Sequence, residues 1–319
     1  MEEKNLSKEE LLSDYRKKIT GEIISLLKKG TIPWLQPWDW GNNNRFILPV
    51  NGTSGRRYSG SNVVYLMAVA IENNYHDPRW YTFNQVKRIP SAYVKKGSKA
   101  SKIIFWETQY LDEESSKKAG KEIYKKLKNP RYHIYNVFNA EQINGLDDFQ
   151  YESSLPWKIS ERAELITWLN KVPVFEEKID EAYYISSKDE IHVPLKIAFS
   201  TEDKFYGTLL HEVAHSTGHF TRLNRDLSGE FGSESYAKEE LIAELAALFL
   251  CSDLKISNEC DITQYAAYID SWISVLEKNE KALFEAAHDA DEICRYLYGL
   301  EKQHYEENNL IVYEHLKQY

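Results

Sequence analysis

The chain has 319 residues, 42% hydrophobic and 28% charged, a globular balance that excludes wholesale disorder. Its apolar runs, such as 63–71, fall far short of the ~18 residues that span a bilayer, and the charged, amphipathic start is unlike a secretory signal. The net charge of −9 is unevenly divided: residues 1–140 carry 24 Lys+Arg against 14 Asp+Glu, or +10, whereas 141–319 carry 16 against 35, or −19.

A capping-box pair, Ser7 with Glu10, opens a helix expected over 7–29. Leu11, Leu12, Tyr15, Ile19, Ile23, Leu26 and Leu27 recur there near helical spacing, and Gly30 ends it. After a loop rich in Asn and Gly, 62–74 reads as a second helix. Aromatic and β-branched runs at 81–86, 93–94, 103–110 and 132–138 read as strands. The charged stretch 112–128 between the last two reads as an exposed hairpin tip or excursion. A polar, turn-rich segment over 145–156 coincides with the change in charge sign. It divides the chain into a domain over 1–145, a linker over 146–159 and a domain over 160–319. In the second domain, 161–170 reads as helix, 172–175, 182–185 and 190–193 as strands, and nearly everything from 201 onward as helix. The fold class is therefore α+β: a mixed N-terminal domain, then a mostly helical one with a small edge sheet. Cys251, Cys260 and Cys294 lack CxxC spacing, which speaks against a disulfide framework and for a reducing cytoplasm.

The most specific motif is His211-Glu-Val-Ala-His215, which occurs by chance about 0.02 times in such a sequence. A capping pair, Ser200 with Asp203, starts its helix, and Phe205, Leu209, Leu210, Val213 and Ala214 give that helix an apolar stripe. Positions i and i+4 share a helix face, so both imidazoles can reach one Zn²⁺. Glu212 is placed to take a proton from the attacking water. A third histidine at position 221 would complete one familiar pattern, but Thr221 stands there. His219 lies too far along the same helix to join His211 on one ion and reads as structural. Glu240 and Glu244 share a face of a later helix, with Ala243 and Ala247 leaving room for close approach. Like charges at this spacing destabilise a bare helix, and a cation opposite reverses the sign. Glu240 is the expected third ligand and Glu244 the carboxylate that holds a ligand imidazole. Glu239, Glu240 and Glu244 could instead form a solvated face; the histidine pair upstream favours the metal. Three protein ligands leave an open position, as catalytic sites do. Strand 190–193 is expected to accept an extended peptide by β-addition, and Tyr236 to donate to an oxyanion.

The basic half interleaves rings with cations, the chemistry of single-strand nucleic-acid binding. The residues expected at such a surface are Trp34, Trp38, Arg56, Arg57, Tyr58, Asn62, Lys95, Lys96, Lys99 and Trp106.

Together these motifs resemble the ArdC-like antirestriction proteins of plasmids, phages and integrative elements. The resemblance covers nearly the whole chain. In the first half it rests on Gly30-Thr-Ile-Pro-Trp34, Tyr58-Ser-Gly60-Ser-Asn62, Trp80-Tyr-Thr82 with Gln85, and Val137-Phe-Asn139 with Gln142. In the second it rests on the run Tyr206 to His219, Arg222 with Arg225, and Tyr236 to Glu244. It implies an N-terminal single-stranded-DNA-binding domain and a C-terminal zincin-type, gluzincin-like metallopeptidase domain. It also implies Zn²⁺ or Mn²⁺ at His211, His215 and Glu240, and protection of incoming DNA from host restriction. The charged stretch 112–128 departs from the family pattern. The expected partners are single-stranded DNA and a protein substrate such as a host restriction or regulatory protein, with no membrane. Two further readings are a non-catalytic DNA-binding antirestriction protein with a structural or regulatory zincin domain, and an intracellular metallopeptidase unrelated to DNA.

Overall fold

The computed structural model of the protein describes residues 8–35, 47–119, 122–149, 159–256 and 266–310. In chain order the elements of the first half are α1 (Lys8–Lys28), β1 (Val50–Asn51), α2 (Ser61–Asn73), β2 (Arg79–Thr82) and α3 (Phe83–Val86). They continue with β3 (Tyr93–Val94), β4 (Ser101–Leu111), α4 (Glu113–Ala119), β5 (Tyr124–Asn139) and β6 (Ile143–Asn144). The second half adds α5 (Ile159–Leu169), β7 (Val174–Glu177), β8 (Tyr183–Ile185), β9 (Glu190–Pro194) and α6 (Glu202–Ser216). It closes with α7 (Glu234–Leu254), α8 (Ala266–Lys278) and α9 (Ala282–Glu307). The molecule is α+β, with two compact units.

The units are drawn differently from the linear division expected at 146–159. One comprises Val50–Arg56 and Asp77–Phe149; the other takes Met1–Pro49, Arg57–His76 and Gln150–Tyr319. Burial explains why α1 and α2 go with the later helices. The stripe Ile19, Ile23 and Leu27 on α1 and the run Val63 to Met67 on α2 are buried, and these helices pack on α8 and α9. Most of the expected linker lies outside the described residues.

In the helical unit α7 is the central element and packs against α5, α6, α8 and α9. From Leu241 to Cys251 every side chain is buried, as befits a helix apolar nearly all round. Its buried Glu239, Glu240 and Glu244 are exceptions that need partners, because an unpaired charge in a core is costly. A three-stranded sheet in the order β7-β9-β8 lies in this unit, with β7 parallel and β8 antiparallel to β9.

The strand unit has a four-stranded sheet in the order β1-β2-β5-β4 and a two-stranded one of β3 and β6. Tyr81, Val86, Ala140 and Ile143 form its core. Gly52 lies so close to Tyr81 that a Cβ there would sit 2.0 Å from the ring, so only glycine fits. The strand expected over 81–86 stops at Thr82. The Thr82 hydroxyl accepts from the backbone N–H of Gln85, whose side-chain oxygen accepts from the Thr82 N–H, and this capping box turns the chain into α3. Asn139 and Gln142 repeat the device after β5. β4 and β5 run on together far beyond β2, which pairs only with Val137 to Asn139, and form a two-stranded arm. The stretch 112–128 belongs to this arm: α4 sits at its turn, and Tyr124 to Lys126 pair back onto Leu111 to Gln109.

Candidate metal centre

The N-cap of α6 is Thr201, one residue later than expected, and its hydroxyl accepts from the Lys204 N–H at 3.2 Å. Phe205, Leu209, Leu210, Val213 and Ala214 are buried as expected, which turns His211 and His215 toward α7. The Nε2 atoms of the two imidazoles stand 3.1 Å apart. Glu240 on α7 places Oε2 3.7 Å from Nε2 of His211 and Oε1 3.5 Å from Nε2 of His215. The three residues offer ligand atoms that all lie within 4.8 Å of one another.

This donor set fits a divalent ion. Two ligand atoms held at ~2.0–2.1 Å in a tetrahedral shell are separated by about 3.3 Å. Nδ1 of His215 lies 3.1 Å from Glu239 Oε1, so Nδ1–H donates to that carboxylate and leaves the Nε2 lone pair facing Glu240 and His211. Nδ1 of His211 lies 3.1 Å from Glu244 Oε1, although the ring N–H is not aimed along that line. Two inward lone pairs at this spacing repel unless a cation or proton sits between them. Burial disfavours the His211 cation, but Glu244 and Glu240 outweigh it and hold its pKa well above 6.5; Glu239 does the same for His215. Burial also works against the charge on Glu240, yet the two imidazoles pull its carboxyl down to about 2.

Glu212 is 6% exposed, and burial pushes its carboxyl upward against the pull of both histidines. It lines a cleft of about 260 Å³ with His211, His215, Glu240, Tyr183, Tyr236 and Tyr268. The Tyr236 hydroxyl is engaged with Glu240 and lies 3.3 Å from the Tyr268 hydroxyl. His219 stands outside the triad, with Nδ1 2.8 Å from Thr221 Oγ1. One expectation is corrected: β9 is the central strand, flanked by β7 and β8, so its backbone is already paired. Among the described residues the edge at the cleft belongs to β8, whose Tyr183 and Tyr184 line it.

Sequence reasoning missed two residues here. Arg225 donates from Nε to Glu239 Oε2 at 3.0 Å and from Nη2 to Oε1 at 2.8 Å. It also ties Thr217 Oγ1 and the Ala214 carbonyl at the end of α6. Glu239 thus orients the His215 imidazole and is itself held by a guanidinium. The signals in the sequence were that three glutamates fall where α7 is otherwise apolar and that Arg225 belongs to the family motif.

The residues expected to meet DNA divide sharply. Trp34 is 0% exposed and packs edge-on to Trp272 at 5.5 Å, so it is a core residue and no stacking platform. Arg57 is likewise no phosphate contact: it bridges Asp253 and Asp291, both at 3.2 Å, over the ring of Phe249. Tyr58 and Asn62 are half-buried in the same helical unit. Trp38 lies outside the described residues. Arg56, Lys95, Lys96, Lys99 and Trp106 are exposed, all on the strand unit, with Lys95 donating to the Glu141 carbonyl. Beside Trp106 the arm exposes further rings not among the residues expected at the DNA surface, notably Phe105, Tyr110, Tyr124 and Tyr135.

The crystal structure of the antirestriction ArdC protein from plasmid R388, in its metal-free form, matches with a TM-score of 0.70 and 30% identity, covering 94% of this chain and all of that one. This chain belongs to the ArdC antirestriction family. The Mn(II)-bound structure of the same ArdC protein matches with a TM-score of 0.69 and 31% identity, covering 89% of this chain and 97% of that one. The family model for the N-terminal domain of anti-restriction factor ArdC matches residues 13–138, and that for a zincin-like metallopeptidase matches 161–289. Among curated proteins, a DNA primase TraC of Escherichia coli is 37% identical over 308 residues, which is 93% of this chain and 28% of that protein. A second TraC primase is 38% identical over 299 residues, with 20% of its length covered, so the chain spans a fifth to about a quarter of these relatives. The uncharacterised protein y4eC of Sinorhizobium fredii is 30% identical over 287 residues, covering 90% of this chain and 92% of that protein. Among the described residues, no helix of this ArdC-family chain is long and apolar enough to cross a membrane.

Proposed function

We propose that this chain is an antirestriction protein that binds single-stranded DNA through its strand unit and hydrolyses a peptide bond at the His211, His215 and Glu240 centre. The observation that carries the peptidase reading is the convergence of two imidazole nitrogens and one carboxylate beside a buried, unligated Glu212. Zn²⁺ or Mn²⁺ held by these three side chains supplies a Lewis acid that polarises a carbonyl and acidifies water. Glu212 accepts the proton of the attacking water on its carboxylate and passes it to the departing amine nitrogen. Its burial raises the carboxyl pKa toward the working pH, which suits a group that must both take and give a proton. The β8 edge at the cleft offers backbone hydrogen bonds to an extended peptide. Glu239 holds the His215 imidazole by a hydrogen bond, and Glu244 sets its negative charge beside the imidazole of His211.

For DNA, the arm and its neighbourhood combine exposed rings (Phe105, Trp106, Tyr135) with Lys96, Lys99 and Arg131, as a sequence-tolerant single-strand surface requires. Glu212→Gln tests the peptidase reading: the variant keeps its metal, measured by elemental analysis, and loses cleavage of a host protein and protection of incoming DNA. Retained cleavage refutes the assigned role. Retained protection without cleavage favours an antirestriction protein that acts by binding alone.

A further inference from the structure

Four carboxylates line the cleft beside the triad: Glu212, Asp226, Glu239 and Glu240. Among the described residues, no lysine or arginine lines it. Glu240 belongs to the triad, Glu212 stands beside it as base, and Glu239 is bound by His215 and Arg225. Asp226 has no such task. Its Oδ1 accepts from the Ser228 N–H at 3.0 Å and the Ser228 hydroxyl at 2.6 Å, while Oδ2 has no partner among the described residues. These hydrogen bonds hold the carboxyl below its ordinary range, so it stays charged. The adjacent cation, Arg225, turns away and spends its guanidinium on Glu239, Thr217 and the Ala214 carbonyl. With Arg225 turned onto Glu239, Asp226 is left as a carboxylate on the cleft wall that no lysine or arginine among the described residues balances. Its other walls are aromatic, lined by Tyr183, Tyr236 and Tyr268, and the face of an aromatic ring attracts a cation.

We infer that the cleft selects a peptide with a basic side chain next to the scissile bond, and that Asp226 is the residue that determines this specificity. The inference rests on the metallopeptidase reading above. An unbalanced Asp226 and a wall with no lysine or arginine among the described residues disfavour a phosphodiester and favour a polypeptide occupant.

The test uses the full-length, metal-loaded protein and three probes that share a metal-chelating head: the hydroxamates of arginine, leucine and glutamate. Binding is measured by calorimetry. Asp226 is exposed, so solvent screens its pairing with a cation; arginine hydroxamate should bind about fivefold tighter than leucine hydroxamate, and glutamate hydroxamate weakest. In Asp226→Asn the arginine-to-leucine ratio should fall to about one, and in Asp226→Lys glutamate hydroxamate should become the preferred probe. Equal affinities in the natural protein, or ratios unmoved by both substitutions, overturn the assignment. A metal-loaded protein that binds none of the three overturns the metallopeptidase reading itself, which is a distinguishable failure.

Discussion

In the proposed metal centre, Glu239 and Arg225 govern how well His215 holds an ion. The carboxylate fixes the Nδ1–H tautomer, and the guanidinium keeps that carboxylate charged and aimed. Glu239→Gln is expected to weaken metal affinity about 10- to 100-fold while leaving the fold intact, as read by chelator competition and circular dichroism. Metal affinity should also fall on acidification, with a sign that follows from the protons displaced. Coordination requires both imidazoles neutral, and their carboxylate neighbours raise both pKa values above 6.5. Metal must therefore expel protons even near neutrality, and the loss of affinity begins above pH 6.5 rather than below it. A dissociation constant flat between pH 8 and 6 would contradict this charge arrangement.

At the scale of elements, the arm of β4 and β5 and the helix α7 illustrate opposite uses of an unusual composition. On α7, apolar residues on all sides make the helix the core of its unit, and its buried glutamates then have to be matched by imidazoles and a guanidinium. The arm, by contrast, runs on past the part of its sheet that β2 completes. Ser101, Ile103, Ile104 and Val137 are buried there, whereas Phe105, Trp106, Tyr110 and Tyr124 are not. Cross-strand contacts such as Trp106 with Tyr132, at 5.5 Å between ring centroids, stiffen the arm. Phe105→Ala and Trp106→Ala should each weaken binding of a single-stranded oligonucleotide by about 1–3 kcal/mol at fixed salt, with little change in melting temperature. Trp34→Ala should do the reverse, costing about 3–5 kcal/mol of stability because it empties a core site. Oligonucleotide affinity indifferent to both arm substitutions would remove the arm from the DNA surface.

For the whole molecule, the path of the chain matters more than the boundary in its charge. Basic and acidic halves meet near residue 145, yet α1 and α2 complete the core of the helical unit. A fragment of residues 1–145 would leave Ile19, Ile23, Val63 and Leu66 without their partners. It is expected to aggregate or to melt well below the full chain, as measured by size-exclusion chromatography and thermal unfolding. A monomeric fragment with a cooperative transition at the temperature of the intact protein would refute that dependence.

Short-range patterns carried much of this protein. The i,i+4 histidines, the glutamates one turn apart on α7, the strands and the helices all depend on neighbours along the chain, and periodicity reports those directly. What tertiary structure decided are the matters of partnership between distant segments. It set which aromatic rings lie inside (Trp34) and which outside (Phe105), and which strand keeps a free edge (β8 rather than β9). It also determined which arginine meets aspartates (Arg57) and which holds the carboxylate behind a ligand (Arg225). A tryptophan or an arginine has the same local signature in either setting. Only the surface that other elements bring against it determines whether its ring or charge is buried, paired or left to solvent.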